Sequence, residues 1–201
     1  MRERFHIIVE GQADKVFFEQ YYRYLFGVSA PENFIIATGG KDKIRNVANN
    51  LRSMTNQGGI NLVIFDADEN IDARRDELLK WRDKEGVDFE LFLIPNDKDK
   101  GALEDLLERI INPNNRPILD CWENYENELV RLDILGRTPP PLTVPAKKTK
   151  IYGYLEALLG PSQDEKELIK ERNRKYDNTL HWDLNAAYLE PLKHFLTKYL
   201  G

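Results

Sequence analysis

Apolar residues fall into short unbroken runs in the first half of this chain and into helical spacing in the second. The runs FHIIV, FIIA, LVIF and FELFLI lie within residues 4–9, 33–37, 62–65 and 89–94. Runs of this length, rich in branched and aromatic side chains, predict strands. LVIF has no polar interruption and predicts a strand buried on both faces, at the centre of a parallel sheet. Between the runs, Phe17, Tyr21 and Leu25 recur at a helix's period over residues 13–26, with Gly27 as the stop. Residues 43–54 and 71–85 predict two further helices. The second of these, IDARRDELLKWRDKE, is charged apart from Leu78, Trp81 and a few neighbours, and predicts an exposed surface helix. Pro95 halts the fourth strand.

Strand and helix alternate up to residue 94, which predicts βαβ units with right-handed crossovers and therefore a mostly parallel α/β sheet. The alternation then stops. Leu103, Leu106, Leu107, Ile110 and Ile111 take helical spacing over residues 102–111, and helical segments continue to residue 135, broken by Pro113 and Pro117. GRTPPPLTVP, residues 136–145, predicts an extended polyproline-like tether. A helix over 150–159 is stopped by Gly160 and Pro161. Residues 162–178 are dense in charge and predict a mobile or solvated helix-loop. Residues 184–200 close the chain as a helix that Pro191 either starts or kinks. The expected organisation is an α/β core over residues 1–111 and a helical extension over 112–201 packed on it.

Composition narrows the class. A length of 201 residues suits one domain, and 41% hydrophobic content with nine Phe and three Trp suffices for a core. A net charge of −5 excludes a strongly basic nucleic-acid coat but leaves room for a local basic stripe. The single cysteine, Cys121, precludes an intramolecular disulfide and fits a reducing cytoplasm. No apolar signal segment opens the chain and no run reaches membrane-spanning length, so a cytoplasmic protein without a membrane partner is expected.

Candidate chemistry gathers at strand ends. Asp66 and Asp68 follow the LVIF run, at the end where open α/β sheets place their ligands. Continued extended geometry would point both the same way. Like charges that close call for a cation, and Mg²⁺ bound through carboxylate oxygens is the natural one. Ordinary turn residues would leave the same pattern. Glu10 and Gly11 end the first strand, and if the first and third strands are neighbours Glu10 reaches the aspartates. A lone acid there also suits the N-terminus of the next helix. Glu104, in the first turn of its helix, faces either the strand ends or solvent. Lys147, Lys148 and Lys150 form the clearest basic cluster. Cations at a helix start run against its dipole, so a nearby phosphate would give them a reason; solvated loop lysines are the plain alternative. Gly39, Gly40 and Lys41 offer a weak pattern for phosphate binding through backbone N–H groups.

Taken in order, IIVEGQADKVFFEQYY, ATGGKDKI, LVIFDAD and LFLIPNDKDKGALEDLL resemble the TOPRIM domain, and the last piece is similar to small stand-alone relatives of the OLD-type nucleases. The resemblance covers residues 5–111; beyond them only 147–159 and the terminal helix compare. It implies a TOPRIM-like, Rossmann-like sheet flanked by helices. It also implies Glu10 as a metal ligand or general acid/base, Asp66 and Asp68 as metal ligands, Glu104 as an acid helping to hold a second metal, and Lys148 as the late lysine near the scissile phosphate. The activity implied is Mg²⁺- or Mn²⁺-dependent cleavage of DNA or RNA, in a family that acts in phage defence with an ATPase fused or encoded beside it. A separate ATPase partner follows from the same likeness. The rival expectation is a TOPRIM scaffold that binds and regulates with such an ATPase without cleaving, which the acidic net charge favours. A phospho-acceptor or phosphatase domain using Asp66 is a third reading, and it leaves Glu10 and Gly11 without a role.

Overall fold

The computed structural model describes residues 5–134, 136 and 142–201, with all side chains among them except those of residues 41 and 42. Arg4 of the first predicted strand and the three successive prolines of the predicted tether, Pro139, Pro140 and Pro141, lie outside the described residues. The chain begins with β1 (Phe5–Val9) and α1 (Gln12–Phe26), then β2 (Ile35–Ala37) and a 3-10 segment (Lys41–Val47) leading into α2 (Ala48–Asn56). β3 (Ile60–Asp66), α3 (Ile71–Glu85), β4 (Glu90–Ile94) and α4 (Leu103–Arg109) complete the alternating part. α5 (Arg116–Leu129), α6 (Lys147–Leu159), α7 (Gln163–Ile169) and α8 (Glu190–Leu200) follow.

The strands form one four-stranded sheet in the order β2-β1-β3-β4, and every pairing is parallel. This is the mostly parallel α/β architecture that the strand-helix alternation predicts. Side chains alternate between the sheet's faces. Ile7, Val9, Leu62, Ile64, Phe92 and Ile94 join one apolar cluster, and Ile8, Val63, Phe65 and Leu93 join the other. Both faces are therefore covered, and burying a side chain such as Leu62 or Ile64 contributes about 1.5–3 kcal/mol relative to exposure. α2 and α3 supply Leu51, Leu78 and Trp81 to the second face.

The first face is the larger. It receives Phe17 and Tyr21 from α1, Leu106 and Leu107 from α4, and Ile151 and Tyr154 from α6. Leu192 and Leu196 of α8 close it. Helices beyond residue 111 thus share one core with the sheet. Pro191 stands in the first turn of α8, where a missing N–H costs nothing, and so starts that helix. No helix among the described residues is long and apolar enough to cross a membrane.

Some expectations change. The helix expected over 43–54 is a 3-10 segment up to Val47 and α-helical only from Ala48. The α5 helix also ends at Leu129, and residues 130–134 do not continue it; Leu135, the end of the expected helical segments, lies outside the described residues. The charged stretch 162–178 is not simply solvated: Ile169, Arg174 and Tyr176 are buried, and the Tyr176 ring meets Phe17 and Trp182. Sparse anchors hold it, and the charges between them occupy its outer side.

Candidate functional site

β1 and β3 run in parallel register, Val9 opposite Ile64, so the chain leaves both strands at one C-terminal edge. Glu10 and Asp66 emerge there together, close enough for the Asp66 backbone to favour the charged form of the Glu10 carboxylate. The backbone of Glu10 is fixed from its other side. Its carbonyl accepts from the Thr38 hydroxyl at 3.1 Å and from the N–H groups of Gly39 and Gly40 at 3.0 and 2.9 Å. Gly39 and Gly40 take φ of 89° and 140°, which side chains disfavour. Their N–H groups therefore anchor Glu10 rather than cradle a phosphate, which corrects the expectation for that loop. The side chain of Lys41 lies outside the described residues.

Asp66 is the last residue of β3, and its Oδ1 accepts from the Leu103 N–H at the start of α4, 3.1 Å away. Asp68 does not continue the strand's alternation. Its φ is +55°, a left-handed turn conformation, so the reasoning that aligned it with Asp66 fails at Ala67. A pair of backbone hydrogen bonds instead ties Asp68 to Gly101, at 2.9 and 2.8 Å. Gly101 has a φ of +141°, and a Cβ there would stand 2.6 Å from the Asp105 carboxylate. That tie brings the Asp68 turn beside the first turn of α4, which bears Glu104.

The cation among these acids is Arg74, a residue absent from the sequence expectations. It is 4% exposed. Its Nη2 donates to Glu10 Oε1 at 2.8 Å, its Nη1 to Glu77 Oε2 at 2.9 Å, and its Nε lies 3.7 Å from Asp68 Oδ2. The guanidinium also sits 5.6 Å from the centre of the Phe65 ring. The helix expected to be exposed therefore buries an arginine along with Leu78 and Trp81. Arg74, Leu78 and Trp81 follow i, i+4, i+7 spacing, so the apolar stripe itself marks Arg74 as inward-facing.

The second unforeseen residue is Asp14, in the first turn of α1 and 7% exposed. It shares a stripe with Phe17, Phe18 and Tyr21, and its Oδ2 accepts from the Gly11 N–H at 2.9 Å. Burial pushes its pKa up to about 6, against the Gly11 hydrogen bond, with the charges of Glu10 and Glu104 adding to the rise. Asp66 is driven further, to about 9, by burial first and then by the charges of Asp14, Glu10, Glu104 and Asp68. Burial also raises Glu10, although Arg74's hydrogen bond and charge oppose it.

A cleft of about 550 Å³ opens beside this edge, lined by Asp68 and Glu104 on one side and by Lys147 and Lys148 of α6 on the other. The chain thus returns two of the clustered lysines to the acidic edge from the far side of the tether. Lys148 pairs with Glu171 at 2.6 Å, and this hydrogen bond holds its ammonium above the usual lysine range. Lys147 pairs with Asp105, and Lys100, also on the cleft wall, with Glu69 at 2.9 Å. Lys150 goes elsewhere: 7% exposed, it bridges Glu126 at 3.1 Å and Glu108 at 3.6 Å and fastens α6 to α5 and α4.

The donor set fits a hard divalent cation in kind, all carboxylate oxygen, and in charge, since the charges of neighbouring carboxylates help to raise both Asp66 and Asp14. Among the described residues, however, no three such side chains already stand together as a ligand set. Holding an ion requires carboxylates to close in on it.

No curated protein and no solved structure matches the chain. A family model does match, over residues 4–200, and the chain belongs to that family, DUF3226, described as a protein family of unknown function.

Proposed function

We propose that this protein is a metal-dependent phosphoryl-transfer enzyme that cleaves DNA or RNA phosphodiesters, in the manner its TOPRIM resemblance implies. The observation that carries the proposal is the cleft itself, where Asp68 and Glu104 face Lys147 and Lys148 beside the buried Asp66. Acids that need a cation and lysines that suit a phosphate lie together, and they come from segments far apart in the chain. Asp66 and Glu104, with Asp14 behind them, would hold a Mg²⁺ or Mn²⁺ ion, which when bound polarises a phosphoryl oxygen and makes a nucleophile of water. Asp66 must give up its proton for this, so ion affinity rises with pH. Lys148 exchanges Glu171 for a phosphate oxygen and neutralises charge that develops there. Glu10, raised by burial, is the proton acceptor within reach.

A second reading has its own support. Each lysine on the cleft wall already has an acidic partner, and Arg74 already joins Glu10 to Asp68. A site so neutralised suits a module that binds and regulates beside a partner ATPase without cleaving. Incubation with plasmid, single-stranded DNA and RNA in Mg²⁺ or Mn²⁺ separates the two. The enzyme reading expects cleavage that Asp66→Asn abolishes. Metal-induced stabilisation with no cleavage of any substrate selects the regulatory module.

A further inference from the structure

We propose that Arg74 is a resident counter-ion that competes with divalent cations for Glu10 and Asp68, so that these carboxylates become metal ligands only when its guanidinium withdraws. The inference rests on the proposal that a divalent ion binds at this edge, and adds how the edge controls it.

Burial and geometry carry the argument. A buried guanidinium is retained only with paired, hydrogen-bonded acceptors around it. Arg74 meets that condition through Glu10 at 2.8 Å and Asp68 at 3.7 Å, the two acids that the TOPRIM likeness would give to a metal. A guanidinium and a divalent ion seek the same carboxylate oxygens and repel each other, so one occupant excludes the other. Arg74 also lies within the first four residues of α3, where a cation opposes the helix dipole. Its place there is explained by the acids it faces and not by its own helix.

The third partner supplies a way out. Glu77, one turn further along α3 with a side chain 58% exposed, holds Nη1 at 2.9 Å. Arg74 can therefore release Glu10 and Asp68 while keeping one carboxylate, swinging toward solvent along its own helix. Among the described residues no lysine or arginine forms an ion pair with Asp14, Asp66 or Glu104, so the first ion goes to their side and Arg74 governs the other.

The test is Mn²⁺ binding, followed by the electron paramagnetic resonance signal of the free ion, with metal alone as the probe. Arg74→Met should bind Mn²⁺ about tenfold more tightly than the parent, or take up an additional ion. Arg74→Lys keeps a charge but cannot engage Glu10, Asp68 and Glu77 at once, and should fall between them. If Arg74→Met does not fold without metal, the lysine variant alone decides. Arg75→Met loses the same charge from the neighbouring position, whose partner is Asp97 at 2.8 Å, and should bind as the parent does. Parent-like Mn²⁺ binding by Arg74→Lys and any folded Arg74→Met, or an equal gain in Arg75→Met, would overturn the inference while leaving the metal site standing. Absence of Mn²⁺ binding in the parent and in every variant would remove both.

Discussion

The carboxylate edge has two halves that solve one electrostatic problem differently. Glu10 and Asp68 are joined by a buried arginine, so part of their charge is matched within the chain. Asp66 and Asp14 accept instead from backbone N–H groups, among them those of Leu103 and Gly11. Those donors do not offset burial, and Asp66 rises to about 9 and Asp14 to about 6. The first half sets a guanidinium against its carboxylates; in the second, Asp66 holds its proton up to about pH 9 and Asp14 up to about pH 6. Only the second leaves a deficit that an incoming cation would fill.

The largest effect is expected from breaking the matched half. In metal-free buffer, Arg74→Met leaves the Glu10 carboxylate, with its side chain 11% exposed, without its guanidinium. Loss of one member of a buried pair costs about 3–5 kcal/mol, to be read from the urea midpoint. Adding Glu10→Gln should recover much of that loss. An unchanged midpoint for Arg74→Met would mean the two halves do not differ in the way described.

The unmatched half should respond to pH. Asp66 binds a proton more tightly folded than unfolded, so its contribution to stability is fully present below its unfolded pKa near 4 and is lost as pH rises through the folded value of about 9. Stability of the metal-free parent should fall by on the order of 1 kcal/mol per pH unit between about pH 5 and pH 8, from this group alone. Asp66→Asn should flatten that slope and be the more stable protein at pH 8. If Asp66→Asn instead unfolds the chain, the aspartate is a structural acceptor for Leu103 and little else.

The smallest change in stability belongs to the cleft lysine. Lys148 and Glu171 form a half-exposed pair worth about 0–1 kcal/mol, so Lys148→Ala should melt close to the parent. Turnover should drop far more than substrate binding if Lys148 acts on developing charge. Equal losses in both would make it a simple binding contact.

Much of this frame can be read from the residues. Four apolar runs mark the strands, and Glu10 and Asp66 sit at their ends because parallel strands deliver them to one edge. Local pattern stops short where a polar residue lies on an apolar stripe. Arg74 precedes Leu78 and Trp81, and Asp14 precedes Phe17 and Tyr21, each at helical spacing, yet charge makes both look exposed. Arg74 is held by acids from other segments, which no local pattern contains, whereas the Asp14 contact with Gly11 is a local capping pair at the helix start. Asp68 illustrates the reverse error. Strand alternation does not reach past the strand, because Asp68 is left-handed and tied to Gly101. For the same reason Gly39 and Gly40 resemble a phosphate loop until the Glu10 carbonyl is seen to use their N–H groups.

The central claim is that a divalent ion replaces the proton that Asp66 holds in the unmatched half. Calorimetric titration with Mg²⁺ at pH 7.5, repeated in buffers of different ionisation enthalpy, counts the protons released on binding. The parent should bind Mg²⁺ and release about one proton, chiefly from Asp66, while Asp66→Asn should bind weakly and release close to none. Mg²⁺ binding without proton release, or with the same release from Asp66→Asn, would contradict the account.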